Sequence, residues 1–216
     1  RVCGYIIIKS LIIVYDFLED AEKLREVALR QKFPDRDRTT TYPGKDSGQR
    51  LIIDGFDDRV AEIAGERLVP AAGLSNGYFR MALDGDIGTA GVHIDISHWT
   101  AILYLSPTED CPDSVAAGTH LFRHKATNSD HAPYDEQELA AMGFSTPKEF
   151  MDNVVTADTN DRDKWEKILT VPLRFNRLML FRPQQYHDAG TGFGTSLQNG
   201  RLLYLNFYNA VDVRRM

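Results

Sequence analysis

Two rhythms of apolar residues divide this chain. Up to about position 75 the pattern is mixed. The opening run GYIIIKSLIIVY is apolar and rich in β-branched residues, and it reads as one or two buried strands. Asp16-x-x-Glu19 then resembles a capping box, followed by Ala21, Leu24, Val27 and Ala28 at helical spacing. The polar stretch TYPGKDSG reads as loop. Val60, Ile63, Ala64 and Leu68 form one stripe, which predicts a second helix over 57–68.

From Tyr78 onward the rhythm shortens. YFRMAL, VHIDIS, WTAILYLS, GTHLFRH, RLMLF and RLLYLNFYN are short, β-branched or aromatic runs, separated by turn-forming stretches such as DGDIGTAG and AGTGFG. That grammar is one of an antiparallel barrel or jelly roll. Residues 125–170 interrupt it with polar and helical sequence. Thr146-Pro147 opens one helix that reaches Phe150, with proline at its first position, and DRDKWEKIL reads as another. The expectation is a single mainly β domain over 1–216 with flanking helices. Its N-terminal strand and helices occupy 1–75, its barrel strands 76–124 and 171–210, and a helical insertion 125–170. An insertion of that length reads as a lid over the barrel mouth.

Composition narrows the function classes. The 216 residues are 43% hydrophobic and 26% charged, enough to build a core, with a net charge of −6. An acidic balance with scattered basic residues argues against a nucleic-acid partner and gives no pull toward an anionic membrane. The opening apolar run is too short to span a bilayer, is broken by Lys9, and leads into acidic DFLEDAE rather than a cleavage site. Cys3 and Cys111 set no disulfide framework and read as reduced thiols of a cytoplasmic protein.

Candidate chemistry gathers in the strand-rich half. In a strand, alternate side chains share a face, so His93 and Asp95 of VHIDIS would point the same way. An imidazole and a carboxylate on one face supply two ligands of a facial triad that leaves iron(II) open positions. The triplet alone is a weak signal, since a satisfied polar pair at a strand end looks the same. His187, in PQQYHDAG, offers the third ligand, and Arg201 opens the last strand fourteen positions later. A guanidinium matches a carboxylate through two parallel hydrogen bonds, so Arg201 can anchor a dicarboxylate cosubstrate. Parity places Arg201, Leu203, Leu205 and Phe207 on one inward face. The remaining histidines, His98, His124 and His131, sit in polar surroundings and read as solvated. Arg80, Arg123 and Arg182 fall near the expected mouth.

With those residues in place, the stretch from Tyr78 to Asn209 resembles the iron(II)/2-oxoglutarate dioxygenases of the prolyl-hydroxylase-like group. The matching pieces are HID, AILYLS, GTHLF and the distal histidine and arginine. The resemblance implies a double-stranded β-helix, iron(II) on His93, Asp95 and His187, and 2-oxoglutarate on Arg201 with dioxygen as co-reactant. Tyr104 matches a tyrosine that shares the cosubstrate carboxylate in some members, and a core aromatic is the other reading of it. His120 stands where the group has a small or apolar residue, and would face the cosubstrate or remain a hydrogen-bonded barrel histidine. Where members carry a tyrosine on the strand before the His-x-Asp pair, this chain has Leu83, with Met81 and Phe79 on the same parity. Halogenating relatives replace the carboxylate ligand with a small residue, so Asp95 implies hydroxylation or another oxidation. The substrate, a small molecule or a peptide side chain, is not written in the sequence. Two other classes stay open: a jelly-roll binding protein without redox chemistry, and a cupin-like metalloenzyme that uses no 2-oxoglutarate.

Overall fold

The computed structural model describes residues 9–34 and 41–211. Cys3 and the first residues of the opening apolar run lie outside them. Ten strands and four α-helices follow in the order β1 (Leu11–Val14), α1 (Ala21–Leu29), β2 (Lys45–Asp46), α2 (Phe56–Ala64), β3 (Leu68–Pro70), β4 (Tyr78–Ala82), β5 (Trp99–Tyr104), β6 (Thr119–His124), α3 (Glu136–Ala141), α4 (Pro147–Phe150), β7 (Trp165–Val171), β8 (Leu178–Phe181), β9 (His187–Ala189) and β10 (Arg201–Ala210). The larger sheet runs β1-β8-β5-β10-β4-β2, with β3 also on β10, and the smaller runs β7-β6-β9. Every pairing is antiparallel. The chain is therefore mostly β, with few helices.

Side-chain alternation sorts the large sheet into two apolar faces. Phe79, Met81, Trp99, Ala101, Leu103, Leu202 and Tyr204 pack on Leu24 and Ala28 of α1 and on Phe56, Val60 and Ala64 of α2. The opposite face offers Ile102, Tyr104, Met179, Phe181, Leu203 and Leu205, which meet Leu121 and Val171 of the small sheet. A strand buried on both faces reads as a continuous apolar run, which is why WTAILY has no polar side.

Local signals set most element ends. Asp20 caps α1, its carboxylate accepting from the Lys23 amide at 3.2 Å. The expected Asp16–Glu19 box does not form: Asp16 has φ 51 and sits in the bend leaving β1. Asp20 is the residue next to the first buried position, Ala21, so its carboxylate reaches the free amides of the first turn. Helix α2 stops at Gly65, whose φ of 75 closes the left-handed cap, and Leu68 falls in β3 instead.

Two segments depart from the sequence-based expectation. DRDKWEKIL is not a helix: it is a short 3-10 turn at Arg162–Lys164 followed by β7. Trp165, Ile168 and Leu169 have helical spacing, but β6 needs a partner on this edge for its backbone groups. A register shift at Leu121/Phe122 accommodates β7 and leaves Ile168 and Leu169 partly exposed. The interruption between strands β6 and β7 is thus 125–164. VHIDIS is not a strand either. His93 makes one isolated bridge, to His187, and no alternation continues past Asp95 because Ile96 is 85% exposed.

The expected helix at Thr146 forms, with the threonine accepting from Glu149 N and Pro147 at the first position, and it runs on as a π-helical stretch, Met151–Thr156. Leu139, Phe150, Val154 and Val155 of this interruption join Phe122, Trp165, Tyr186 and Val92 in a third apolar cluster on the outer side of the small sheet. The segment leading into His93 is therefore braced from behind.

Candidate metal centre

His93, Asp95 and His187 reach the same point, with their ligand atoms within 4.8 Å of one another. The backbone does this without a regular strand. His93 and His187 exchange two amide-to-carbonyl bonds, of 2.8 and 3.0 Å, and the Asp95 amide donates to the Pro183 carbonyl at 3.0 Å. So β9 carries His187 between β6 on one side and the His93 segment on the other.

The imidazoles are oriented for coordination. His93 Nδ1 donates to the Gly91 carbonyl at 2.9 Å and His187 Nδ1 to the Gln185 carbonyl at 2.8 Å. Those bonds fix the tautomer and leave each Nε2 as a lone-pair donor. His187 Nε2 lies 3.5 Å from Asp95 Oδ2. The Tyr42 hydroxyl donates to Asp95 Oδ1 at 3.3 Å and Thr100 Oγ1 to Oδ2 at 3.4 Å. Burial first, then the neighbouring His187, holds His93 down to about 4. Burial pushes the Asp95 carboxyl up, but His187, His93 and the Tyr42 hydroxyl outweigh it and bring it to about 2. Two imidazoles that present Nε2 and a carboxylate held ionised are the donor set an octahedral divalent iron takes on one face. The residues present fit that ion.

A cavity of about 100 Å³ opens beside the three side chains. Register describes its wall: Thr100 pairs with Phe207 and Ile102 with Leu205, and Leu203 lines it opposite Tyr104, which does not. Arg201, Leu203, Leu205 and Phe207 all line it, as their shared parity requires. Arg201 is 2% exposed; Nε donates to the Ala117 carbonyl at 2.7 Å and Nη2 to the Gly118 carbonyl at 3.2 Å. Burial lowers it from its usual value, with Tyr104 opposing, and no carboxylate among the described residues makes an ion pair with it. Asp188 also acts on it favourably but makes no direct contact, and a buried cation without an ion-pair partner is costly, which makes the cavity receptive to an anion.

Tyr104 and His120 are placed differently. Tyr104 is fully buried below the cavity, its hydroxyl 2.7 Å from Thr119 Oγ1, and Thr119 is the group that lines the cavity. His120 is the next residue on β6 and so faces the other side of the small sheet, where its Nδ1 lies 2.9 Å from Thr170 Oγ1. It is not among the side chains lining the cavity. Asp188 pairs with Arg162 at 2.6 Å.

His124, expected in solvent, is 2% exposed and bonded to Asp158 at 2.9 Å, because it fills the outer face against Trp165. Sequence reasoning missed Tyr42 and Thr100. TYPGKDSG carries only turn signals, and no periodicity marks one of its side chains as inward.

The model of a family of unknown function, DUF6445, matches residues 93–207, which is more than half the chain. The chain belongs to this family. The matched span begins at His93 and ends within β10, so it includes the three converging side chains and Arg201 but neither Tyr42 nor Arg80. A search of curated protein sequences returned no match. Among solved structures, HygX from Streptomyces hygroscopicus, crystallised with nickel, 2-oxoglutarate and hygromycin B, is similar at 13% identity and a TM-score of 0.54, over 94% of this chain and 83% of HygX. SnoK, a non-heme alpha-ketoglutarate-dependent carbocyclase of nogalamycin biosynthesis, is 12% identical with a TM-score of 0.56, over 94% and 80%. The epimerase SnoN of the same biosynthesis is 14% identical with a TM-score of 0.51, over 93% and 78%. At these identities the likeness establishes the fold: this member of the family has the architecture of 2-oxoglutarate-dependent non-heme enzymes. No helix among the described residues is long and apolar enough to cross a membrane.

Proposed function

We propose that the chain is an iron(II)- and 2-oxoglutarate-dependent oxygenase of the hydroxylase type, built on a double-stranded β-helix made by its two sheets. The observation that carries this is one cavity bounded both by the His93, Asp95 and His187 donors and by the buried Arg201, which makes no ion pair among the described residues. With 2-oxoglutarate bound, His93, Asp95 and His187 would hold the metal at one end of the cavity and Arg201 would hold a carboxylate at the other. The solved neighbours named for alpha-ketoglutarate dependence, or crystallised with nickel and 2-oxoglutarate, support the same reading.

Iron with 2-oxoglutarate and dioxygen supplies the oxidation of a C–H bond in the substrate, a small molecule or a peptide side chain. The protein's own contribution is positional. His93 and His187 present Nε2 because their Nδ1 atoms are tied to carbonyls. Tyr42 and Thr100 hold both oxygens of Asp95. Ile102, Leu203 and Leu205 keep the cavity wall apolar and exclude water between metal and anchor. Tyr104 orients Thr119 at the Arg201 end rather than touching the cavity itself.

Anaerobic addition of iron(II) and then 2-oxoglutarate tests the reading. A weak visible charge-transfer band is expected only when both are present. In Arg201→Leu, iron affinity should survive and 2-oxoglutarate affinity should fall by about 2–5 kcal/mol, as when a buried charge pair loses one partner. Unchanged 2-oxoglutarate affinity in that variant would sink the assignment and favour a cupin-like metalloenzyme.

A further inference from the structure

A second arginine faces the same cavity, and the chemistry described so far does not use it. On β4 the inward positions are Tyr78, Arg80 and Ala82, since Arg80 pairs with Leu203 and Ala82 with Arg201 across β10. Arg80 therefore stands one inward position from Arg201, on the side toward Leu205 and Phe207. Its Nε donates to Asp46 Oδ1 at 2.7 Å, from the adjoining strand β2. Its guanidinium lies over the Tyr42 ring, 5.4 Å from the centroid. The Tyr42 ring in turn stands 4.4 Å from the His93 imidazole. The stack Arg80–Tyr42–His93 fixes a cation one aromatic ring away from a candidate metal ligand.

We infer that Arg80 binds the carboxylate of the primary substrate, a small acid with an aliphatic body. The inference rests on the iron and 2-oxoglutarate reading of the same cavity. The bond to Asp46 uses Arg80 Nε, and Nη1 and Nη2 make no hydrogen bond among the described residues, which leaves the end-on fork of a cavity-lining guanidinium for a ligand. Two parallel donors at that spacing match the two oxygens of a carboxylate. Because 2-oxoglutarate is satisfied by the metal and Arg201, a further anion site in one cavity serves a further molecule. Asp46 keeps the guanidinium in place and reduces the cost of holding it half-buried before that molecule arrives. Leu203, the register partner of Arg80, and Leu205 and Phe207 farther along β10 line the same cavity and give an aliphatic chain an apolar wall. An acid gripped at Arg80 has its carboxylate held to one side, and its chain is free to approach the metal.

The test uses the whole chain loaded with nickel(II) and saturating 2-oxoglutarate, so that nothing turns over. The probe is 4-methylpentanoate, compared with its neutral amide, read by nickel-induced broadening of the probe's methyl resonances. The acid should broaden saturably and the amide should not. Arg80→Leu should weaken the acid by about tenfold or more while 2-oxoglutarate affinity stays within about twofold. Arg80→Lys keeps the charge without the fork and should fall between. Equal broadening by the amide, no broadening by the acid, or an acid affinity unchanged in Arg80→Leu each overturns the inference. A fall in 2-oxoglutarate affinity in Arg80→Leu also overturns it, by making Arg80 the cosubstrate anchor. Calorimetric titration of both probes into metal-free protein separates the two readings. Acid binding that disappears in Arg80→Leu supports Arg80 even where nickel and 2-oxoglutarate fail to bind, and equal acid and amide heats there count against it.

Discussion

His93 is the residue whose environment has the plainest energetic consequence. Its imidazole is held at about 4 against 6.5 for a free histidine. Below pH 6.5 the unfolded chain takes up a proton that folded, metal-free His93 refuses, so stability is full above 6.5 and drains as pH falls toward 4. At about 1.4 kcal/mol per pH unit, that interval amounts to about 3 kcal/mol. Asp95 extends the loss in the same direction, from 3.8 down to about 2. Urea denaturation of metal-free protein at pH 7 and pH 5 should show about 2 kcal/mol of this loss, and His93→Phe should remove most of it. Tyr42 gives a second test. Its hydroxyl supports Asp95 at 3.3 Å, so Tyr42→Phe should weaken nickel(II) binding by about tenfold, the low end for a group behind a ligand. Nickel calorimetry reads this directly, and an unchanged constant would remove Tyr42 from the centre.

Elements bring these residues together, and there the sequence was legible to different depths. Strands β4, β5, β6, β8 and β10 stand where short apolar runs placed them, because each run is largely buried and rich in strand-forming residues. The inward face of β10 followed from parity alone. The segment holding His93 and Asp95 also converges as expected, but through an isolated bridge rather than a strand. Spacing of two positions carries that inference only when the backbone is extended, and here hydrogen bonds to His187 and Pro183 do the work. Trp165–Leu169 misled because helical spacing in a short window also fits a bulged strand. Tyr42 was invisible because its loop has no period.

The turn at 158–160 shows how a distant element holds the site. Thr159 accepts from the Val92 amide through its carbonyl and from the Gly91 amide through its hydroxyl. A Cβ at Gly91 would sit 2.4 Å from the Thr159 carbonyl oxygen. Gly91→Ala should therefore cost about 1–3 kcal/mol of stability, as overpacking does, and loosen nickel binding with it. Urea denaturation with nickel calorimetry would detect both, and loss of stability alone would show that the clamp does not reach the ligand.

At the scale of the molecule, apolar clusters alternate with sheets: helices α1 and α2, the large sheet, the small sheet, then the packed interruption. Strand β5 is hydrogen-bonded on both edges and buried on both faces, so it should exchange its amides most slowly. Hydrogen–deuterium exchange should rank β5 and the central part of β10 above β2 and β3, and fast exchange in β5 would contradict this layering.

The reciprocal bonds between His93 and His187 bear on how the candidate metal centre behaves with and without an ion. In domains that fold around a metal, a chelator unfolds the chain because the ligands come together only on the ion. Here backbone pairing has already assembled two of the three arms. Loading then requires the ion to shed water rather than the chain to find its shape, and emptying leaves an intact vessel. Circular dichroism should be the same before and after dialysis against EDTA, with nickel capacity recovered in full on re-addition. Such a protein can stand empty while metal is scarce and fill again when it returns.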